Sequence, residues 1–246
     1  MPNTPWAGDT ANKLYLQSGA FSSTMKTSRD VGGIDSNPNA IAWDGTNTPW
    51  TGLSSDKLYL QSGQFSATLK TSLTPGVLTE RGISSTAAKD TPWCQSATGD
   101  KVYLQSGQFS VTIKTSRDLQ TIDSSITGVS WDGTNTPWVG TASDKLYLQS
   151  GQFSATLKDS QSVTGVDTDP RDIAWDQTDT PWCSTASDKL YLQSGQFSAT
   201  LKTSLSVNAI DTDPEGIENT NRLAAAGLSA AVMMVSPRMF SWSGGM

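Results

Sequence analysis

The sequence predicts an all-β protein that closes into a five-bladed β-propeller, with four antiparallel strands in each blade. The tripeptide Thr-Pro-Trp occurs five times at intervals of 43 to 45 residues, ending at Trp6, Trp50, Trp93, Trp138 and Trp182. A near-identical block follows each copy, and an Ile-Ala-Trp-Asp element or a variant of it precedes most of them. Repeats of this length with strand-like alternation are typical of propeller blades. A linear array is the alternative, but it would leave exposed end sheets.

Each repeat divides into four short strands, as the second repeat illustrates. The first strand is predicted at residues 41–43, and the Asp-Gly-Thr-Asn turn at 44–47 follows it because these residues tolerate left-handed backbone. The second strand begins at residues 48–50, where a proline at the strand start costs little pairing. The third strand is predicted at 57–61 and the fourth at 64–70.

The last two strands of the repeat predict a tight hairpin. With the Ser-Gly pair between them as a two-residue turn, Leu60 faces Phe65 and Leu58 faces Ala67 across the ladder. Leu69 then falls on the same apolar face, because side chains alternate with a period of two. The other face is polar apart from one tyrosine.

The ends of the chain predict how the ring closes. The first repeat lacks a first strand, and residues 210–219 resemble the segment 166–175 that leads into the first strand of the fifth repeat. We therefore expect the segment near 216–219 to pair with residues 4–8 and to complete the first blade. This divides the chain into a single propeller at 1–220 and a non-repeat tail at 221–246.

The composition of the chain disfavours several classes of function. Lysine and arginine total 17 against 23 acidic residues, giving a net charge of −6, and histidine is absent. An acidic chain disfavours nucleic acid and anionic membranes as partners, and no apolar run is long enough for a membrane span. Without histidine, most general acid–base sites and common zinc sites are missing. We expect no metal and no cofactor.

The cysteines and the N-terminus give weaker indications. Cys94 and Cys183 follow the tryptophan of the third and fifth repeats, and these equivalent places are predicted to lie too far apart for a disulfide. Half-buried, unpaired thiols are expected.

The N-terminus has neither a basic start nor an apolar run, so we expect no secretory signal and a cytoplasmic or virion-associated protein.

Tryptophans that flank the turn between the first two strands are the candidate ligand-binding residues. Indoles can stack on sugar rings, and Asp and Asn side chains can hydrogen-bond hydroxyl groups. Three repeats carry the full set, and the candidate site residues are Trp43, Asp44, Asn47, Trp50, Trp131, Asp132, Asn135, Trp138, Trp175, Asp176 and Trp182. Alternatively, the second tryptophan of each repeat packs in the core between blades and does not bind ligand. The aspartate, alternatively, only stabilises the turn. Because only three repeats carry the full set, we expect the protein to have nearer three binding sites than five.

The near-identity of the repeats predicts equal sites, which suits multivalent binding. We therefore expect a non-enzymatic, lectin-like protein with no catalytic residue, whose partner is a glycan or a cell-surface or virion component. A glycosidase needs two acids in different roles, and interchangeable blades give no reason for such a difference. The alternative is a structural or display protein, viral or cell-surface, without a small ligand.

Residues 4 to about 220 also resemble known propellers. The unit Asp-Pro-x-x-Ile-Ala-Trp-Asp, followed by a tryptophan strand and by Lys-Leu-Tyr-Leu, resembles NHL-type blades. The blade count is similar to that of tachylectin-type lectins, and the near-identical copies resemble repeat proteins predicted from environmental viral sequences. A WD-repeat is excluded, because Trp-Asp ends the first strand here and the Gly-His partner is absent. The resemblance implies the architecture and does not fix the function.

Overall fold

A computed structural model shows five four-stranded antiparallel sheets arranged as a β-propeller, as predicted. The structure describes residues 3–18, 22–44, 46–63, 66, 68–75, 80–84, 90–95, 99–106, 112–151, 154–176, 178–196 and 198–218. In blades 2 to 5 the strands follow chain order across the sheet, and blade 1 joins the two ends of the chain.

The strands of each blade are given from the innermost to the outermost. Blade 1 contains β20 (Pro214–Ile217), β1 (Thr4–Gly8), β2 (Lys13–Gln17) and β3 (Met25–Asp30). Blade 2 contains β4 (Pro38–Ile41), β5 (Asn47–Gly52), β6 (Lys57–Ser62) and β7 (Leu69–Leu73). Blade 3 contains β8 (Glu80–Ile83), β9 (Thr91–Gln95), β10 (Lys101–Gln105) and β11 (Ile113–Asp118). Blade 4 contains β12 (Ile126–Val129), β13 (Thr136–Gly140), β14 (Lys145–Gln149) and β15 (Leu157–Ser162). Blade 5 contains β16 (Pro170–Ile173), β17 (Thr180–Ser184), β18 (Lys189–Gln193) and β19 (Leu201–Ser206).

The inner strands surround the ring axis. The strands β20, β4, β8, β12 and β16 contact one another in that order, and β16 returns to β20. Their backbones approach closely, since a Cβ added at Gly216 would lie 2.6 Å from the Cα of Ala40. All five inner strands run in the same direction, because every blade has the same connectivity, so one end of the axis collects their first residues and the other end their last.

A tryptophan and a tyrosine hold each blade against the blade before it. Trp50 and Tyr59 stack with ring centroids 4.3 Å apart, and the same stack recurs in the other four blades at 4.1 to 4.2 Å. In blade 2 this stack packs against Leu14 and Leu16 of blade 1. Because Trp50 is 0% exposed, the second tryptophan of the repeat belongs to the interblade core.

The ring closes as predicted. Strand β1 pairs with β20, with Trp6 opposite Ile217 and Ala7 opposite Gly216. The interface between the last and first blades uses the same packing, because Trp6 lies against Cys183 of blade 5. The tail at 221–246 lies outside the described residues.

An aspartate carboxylate holds each of four blades at the start of its inner strand, and it is buried in three of them. Asp35, in the connection from blade 1 to blade 2, accepts hydrogen bonds from the Tyr59 hydroxyl at 3.3 Å, from the Ser55 backbone N–H at 3.1 Å and from the Ser55 hydroxyl. Gly52 leaves room for it, since an added Cβ would lie 2.4 Å from the carboxylate. The equivalent carboxylates that accept a tyrosine hydroxyl bond are Asp123, Asp167 and Asp211.

The inner strand begins earlier than predicted. Strand β4 covers Pro38–Ile41, whereas the sequence pattern predicted residues 41–43. A register shift between Pro38 and Ala40 interrupts the pairing, and the backbone N–H of Ala42 donates to Pro49 O at 2.8 Å just beyond the strand end. Trp43 therefore follows the strand instead of ending it.

The predicted register of the outer hairpin is wrong. Leu60 pairs with Thr71 and Leu58 pairs with Leu73, so the outer strand starts about five residues later than predicted. Leu69 is 38% exposed and does not join the core face. Blades diverge with distance from the axis, so the outermost strand needs little apolar surface. Leu58 itself is buried against blade 3, as the alternation predicted.

The connection between the last two strands explains the error. The backbone N–H of Ser62 donates to Thr68 O at 2.9 Å, which closes a loop much longer than a two-residue turn. The same bond recurs in the other four blades. The predicted partners Phe65 and Ala67 lie outside the described residues.

Cys94 and Cys183 are unpaired, as predicted, but they are fully buried instead of half-buried. Each occupies the second strand of its blade at a position facing the next interblade interface. Burial raises the pKa of both thiols. The thiolate forms are therefore scarce at neutral pH.

Removal of β20 should destabilise the ring. A chain that ends at residue 210 loses the inner strand of blade 1 and exposes the edge of β1, whereas a chain that ends at residue 220 keeps both. We expect the shorter chain to melt roughly 10 °C or more below the longer one, measured by circular dichroism. Equal melting temperatures would contradict closure through β20.

Replacement of Trp50 by alanine should cost roughly 3–5 kcal/mol of unfolding free energy, because it opens a cavity between two blades. Trp43→Ala is the matched control, since this indole is half-buried and lies outside the stack. Urea denaturation of the two variants measures the difference. Similar losses for both would argue against a special role of the stack.

Candidate functional site

The predicted site lies at the end of the axis where the inner strands finish. In blade 2, the Asp44 carboxylate accepts the backbone N–H groups of Thr46 at 2.7 Å and Asn47 at 2.5 Å. The Asn47 side chain accepts the N–H of Gly63 at 3.3 Å, which fastens the turn to the end of β6. Turns closed in the same way by an aspartate recur at Asp132 and Asp176. The aspartates therefore have the turn role that the sequence left as an alternative.

The tryptophans of the predicted site fall into two groups. The second tryptophan of each repeat is fully buried in the interblade core: Trp50, Trp138 and Trp182. The first tryptophan follows the inner strand and is half-buried: Trp43, Trp131 and Trp175. The structure therefore does not bring two indoles of one repeat to a common open surface. Only the first group has a surface that a ligand can reach without unfolding.

The remaining predicted residues are largely engaged within the turns. The amide groups of Asn47 and Asn135 each donate to the turn aspartate at 3.4 Å. In blade 5 an aspartate, Asp179, replaces this asparagine and pairs with Lys202 at 2.6 Å. The exposed hydroxyl groups beside the tryptophans belong to Thr46, Thr134 and Thr178.

Sequence reasoning missed a ring of glutamines beneath this end of the propeller. Each third strand carries a glutamine that is 0 or 1% exposed: Gln17, Gln61, Gln105, Gln149 and Gln193. Their side-chain oxygens and the five core indole N–H groups have no hydrogen-bond partner in the described part of the chain. Buried polar groups are normally paired, so an ordered water inside the ring is what can satisfy groups as enclosed as these. The signal in the sequence was the polar residue that ends Lys-Leu-Tyr-Leu-Gln.

The opposite end of the axis breaks the symmetry of the repeats. The second residue of the inner strand is not the same in all blades; blades 2, 3, 4, 5 and 1 carry, in that order, Asn39, Arg81, Thr127, Arg171 and Glu215. We call Asn39, Arg81, Arg171 and Glu215 the axial cluster. Sequence reasoning missed it, because the inner strands were predicted to begin after these positions.

Three inner strands meet through Glu215. Its Oε2 accepts the side-chain N–H of Asn39 at 3.0 Å and lies 3.8 Å from Nε of Arg171. Arg171 also pairs with Asp169 at 2.7 Å. These contacts join β20 to its neighbours on both sides, β4 and β16.

Burial dominates the electrostatics of this region. It raises the pKa of Glu215 to about 7, with a further rise from Asp213 and an opposing effect of Arg171. It raises the pKa of Asp9 to about 6, with Asp213 adding to the rise. Burial also raises the pKa of Asp172 well above its usual range, although two backbone N–H groups bind its carboxylate. Glu215 and Asp9 are therefore acids that can change protonation near neutral pH.

Neither a metal centre nor a membrane helix is found in the described ranges. No three Asp, Glu or Cys side chains there converge as metal ligands. No helix in that part of the chain has the length and hydropathy that a membrane crossing requires.

Solved structures match the fold at low sequence identity, while no family model and no curated protein matches the chain. A chain of the nidogen/laminin complex matches with a TM-score of 0.61 and 12% identity, over 89% of this chain and 98% of that chain. Glutaminyl cyclase from Myxococcus xanthus matches with a TM-score of 0.51 and 9% identity, over 81% and 76%. Virginiamycin B lyase from Staphylococcus aureus matches with a TM-score of 0.50 and 12% identity, over 85% and 67%.

The comparisons correct one expectation from the sequence. Exclusion of enzymes was wrong, because a cyclase and a lyase have structures that match this one. The argument from interchangeable blades also fails at the axis, where the equivalent position is an asparagine, an arginine, a threonine or a glutamate depending on the blade. The propeller fold is consistent with a binding or scaffold role. At these identities the similarity shows the fold alone, and the likeness to tachylectin-type lectins and to viral repeat proteins stays a prediction.

Glu215 should make the stability of the ring depend on pH. Its pKa is raised from 4.5 to about 7 on folding, so the folded state binds the proton more tightly than the unfolded chain. The stabilisation is complete below pH 4.5 and is lost as the pH rises through about 7, by roughly 3 kcal/mol. Glu215→Gln should show a flatter decline, measured by urea denaturation at several pH values.

The same series contains its own control. Asp9, Asp172 and Asp213 are present in both proteins, so the difference between the two curves isolates Glu215. Parallel curves for the two proteins between pH 4.5 and 7.5 would contradict the raised pKa.

Proposed function

We propose that the chain is a multivalent binding protein whose sites repeat around the end of the axis where the inner strands finish, with carbohydrate as the ligand. The observation that carries the proposal is the half-buried tryptophan that stands at the same place in three blades: Trp43, Trp131 and Trp175. Each is followed by a turn that an aspartate holds in one conformation. A preformed site loses little conformational entropy on binding, so weak equal sites can act together.

The chemistry of the region supports a polyhydroxylated ligand. An indole face offers apolar surface to a sugar ring, and the neighbouring threonine hydroxyl groups are exposed. Glycans on a cell surface or virion are the partners that this proposal implies.

The valency of glycan binding tests this proposal. A glycan array should identify a ligand, and calorimetry with that ligand should give about three sites per chain. Replacement of Trp43, Trp131 or Trp175 by alanine should remove one site each. Trp50→Phe is the control, because it keeps an aromatic ring in the core stack and should leave the site count unchanged.

Two outcomes would argue against the proposal. One is the absence of binding to any glycan on the array. The other is a site count that Trp43→Ala does not change.

A protein scaffold is the second candidate function, and one observation favours it. The first residue of the outermost strand is apolar and 38 to 43% exposed in four blades: Leu69, Ile113, Leu157 and Leu201. Apolar residues at equal positions around the rim suit contact with other proteins, as a structural or display protein requires. Absence of glycan binding would favour this function over the first.

A further inference from the structure

Two of the five blades pair a lysine of the outermost strand with an aspartate beside the turn. In blade 5, Nζ of Lys202 lies 2.6 Å from Oδ2 of Asp179, and in blade 3, Nζ of Lys114 lies 2.8 Å from Oδ2 of Asp90. Both aspartates stand immediately before the Thr-Pro-Trp tripeptide. The lysine side chain therefore reaches from the outer strand, across the third strand, to the start of the second strand.

Blades 2 and 4 carry an asparagine at the position of this aspartate. The side-chain oxygen of Asn47 accepts the backbone N–H of Gly63 at 3.3 Å, as Oδ1 of Asp179 accepts that of Gly195 at 3.0 Å. The amide nitrogen of Asn47 thus takes the place of Oδ2 in Asp179, and it donates to the turn aspartate at 3.4 Å. Asn135 makes the same two bonds. Because an amide N–H cannot accept a hydrogen bond, the asparagine offers no acceptor to an ammonium group at this place.

The lysines of these two blades, Lys70 and Lys158, have the position of Lys202 without its partner. In all three blades the leucine before the lysine pairs with the glutamine of the third strand, so the register is the same. Within the residues that the structure describes, Lys70 and Lys158 form no ion pair and no hydrogen bond. Both are exposed. Each ammonium group can therefore reach its turn and keeps its donors for a ligand.

The turns beside the half-buried tryptophans consequently differ in charge. Blade 5 has two acids and one base there, Asp176, Asp179 and Lys202, whereas blades 2 and 4 have one acid and one base each. In blade 2 the acid is Asp44, whose Oδ1 already accepts two backbone N–H groups. The ammonium group binds a carboxylate or a sulfate more strongly than a neutral hydroxyl group, because both partners are charged.

We propose that the sites in blades 2 and 4 select a glycan that carries an anionic group, and that the site in blade 5 lacks this selectivity. Lys70 and Lys158 bind the anionic group, so the ligand supplies the acceptor that Asp179 supplies to Lys202 in blade 5. The inference rests on the proposed carbohydrate sites and adds the class of sugar to them. All three sites bind the sugar ring, and two of them also bind its charge.

A glycan array that presents neutral glycans beside their carboxylate-bearing and sulfated counterparts tests the selectivity. We expect the acidic member of a pair to bind the full chain about three- to tenfold more tightly than the neutral member. The preference should weaken when NaCl is raised from about 0.05 M to about 0.5 M. The carboxylate and sulfate arms identify the anionic group. Equal binding of both members would overturn this inference and leave the proposed function standing, whereas binding of no glycan would overturn both.

Exchange of the asparagines and the aspartate tests the role of the turn. The double variant Asn47→Asp/Asn135→Asp gives blades 2 and 4 the aspartate of blade 5, and it should abolish the preference for the acidic glycan. Asp179→Asn should release Lys202 and extend the tight binding of the acidic glycan from two sites to three, measured by calorimetry. A preference that neither exchange changes would contradict the inference.

Lysine variants separate the charge from the rest of the site. The double variant Lys70→Gln/Lys158→Gln should reduce binding of the acidic glycan to the level of its neutral counterpart and leave binding of the neutral glycan unchanged. Lys114→Gln is the matched control, because the third repeat has no first tryptophan, and it should alter neither. Undiminished preference in the double variant would place the anionic group elsewhere and overturn the inference. Because Lys70 and Lys158 are exposed, these variants should fold and decide the outcome.

Discussion

The stack of a tryptophan on a tyrosine at each blade interface is the contact on which the ring depends. It buries a large apolar surface on one face of every sheet, and the leucines of the preceding blade cover it. Five repetitions of the same interface produce five equal steps around the axis, and the last step meets the first at Trp6 and Cys183. The Thr-Pro-Trp tripeptide is therefore conserved between the repeats for packing, and its indole is unavailable to a ligand.

Much of this architecture could be read from the sequence because repeat spacing, strand order and ring closure are properties of the whole unit. The register of the outer hairpin could not, since alternation along a strand shows which residues share a face but not how long the loop before it is. Leu58 and Leu60 faced the core as predicted, whereas Leu69 joined the exposed rim. The outer strand has weak patterning because the blades diverge there.

The candidate sites also divide into features that the sequence predicted and features that it did not. The aspartate turns were visible as turn signals, and the half-buried tryptophans stood where the repeats predicted. The axial cluster stayed hidden because the inner strand was predicted at residues 41–43 instead of Pro38–Ile41. That difference left Asn39, Arg171 and Glu215 in apparent loops, where differences between repeats attract little attention. The buried amides escaped notice because composition does not show that a glutamine lies inside a sheet interface.

Symmetry and asymmetry occupy different places in the ring for a physical reason. An interblade residue is packed on both sides, so a change in one blade must be matched by its neighbour, and identical copies satisfy this requirement together. The second residues of the inner strands lie around a common centre. Groups of complementary charge stabilise the ring there, whereas identical charged groups would repel one another. Five arginines or five glutamates there would repel, whereas Asn39, Arg171 and Glu215 attract. Because Glu215 lies on β20, these contacts also hold the closing strand in the ring.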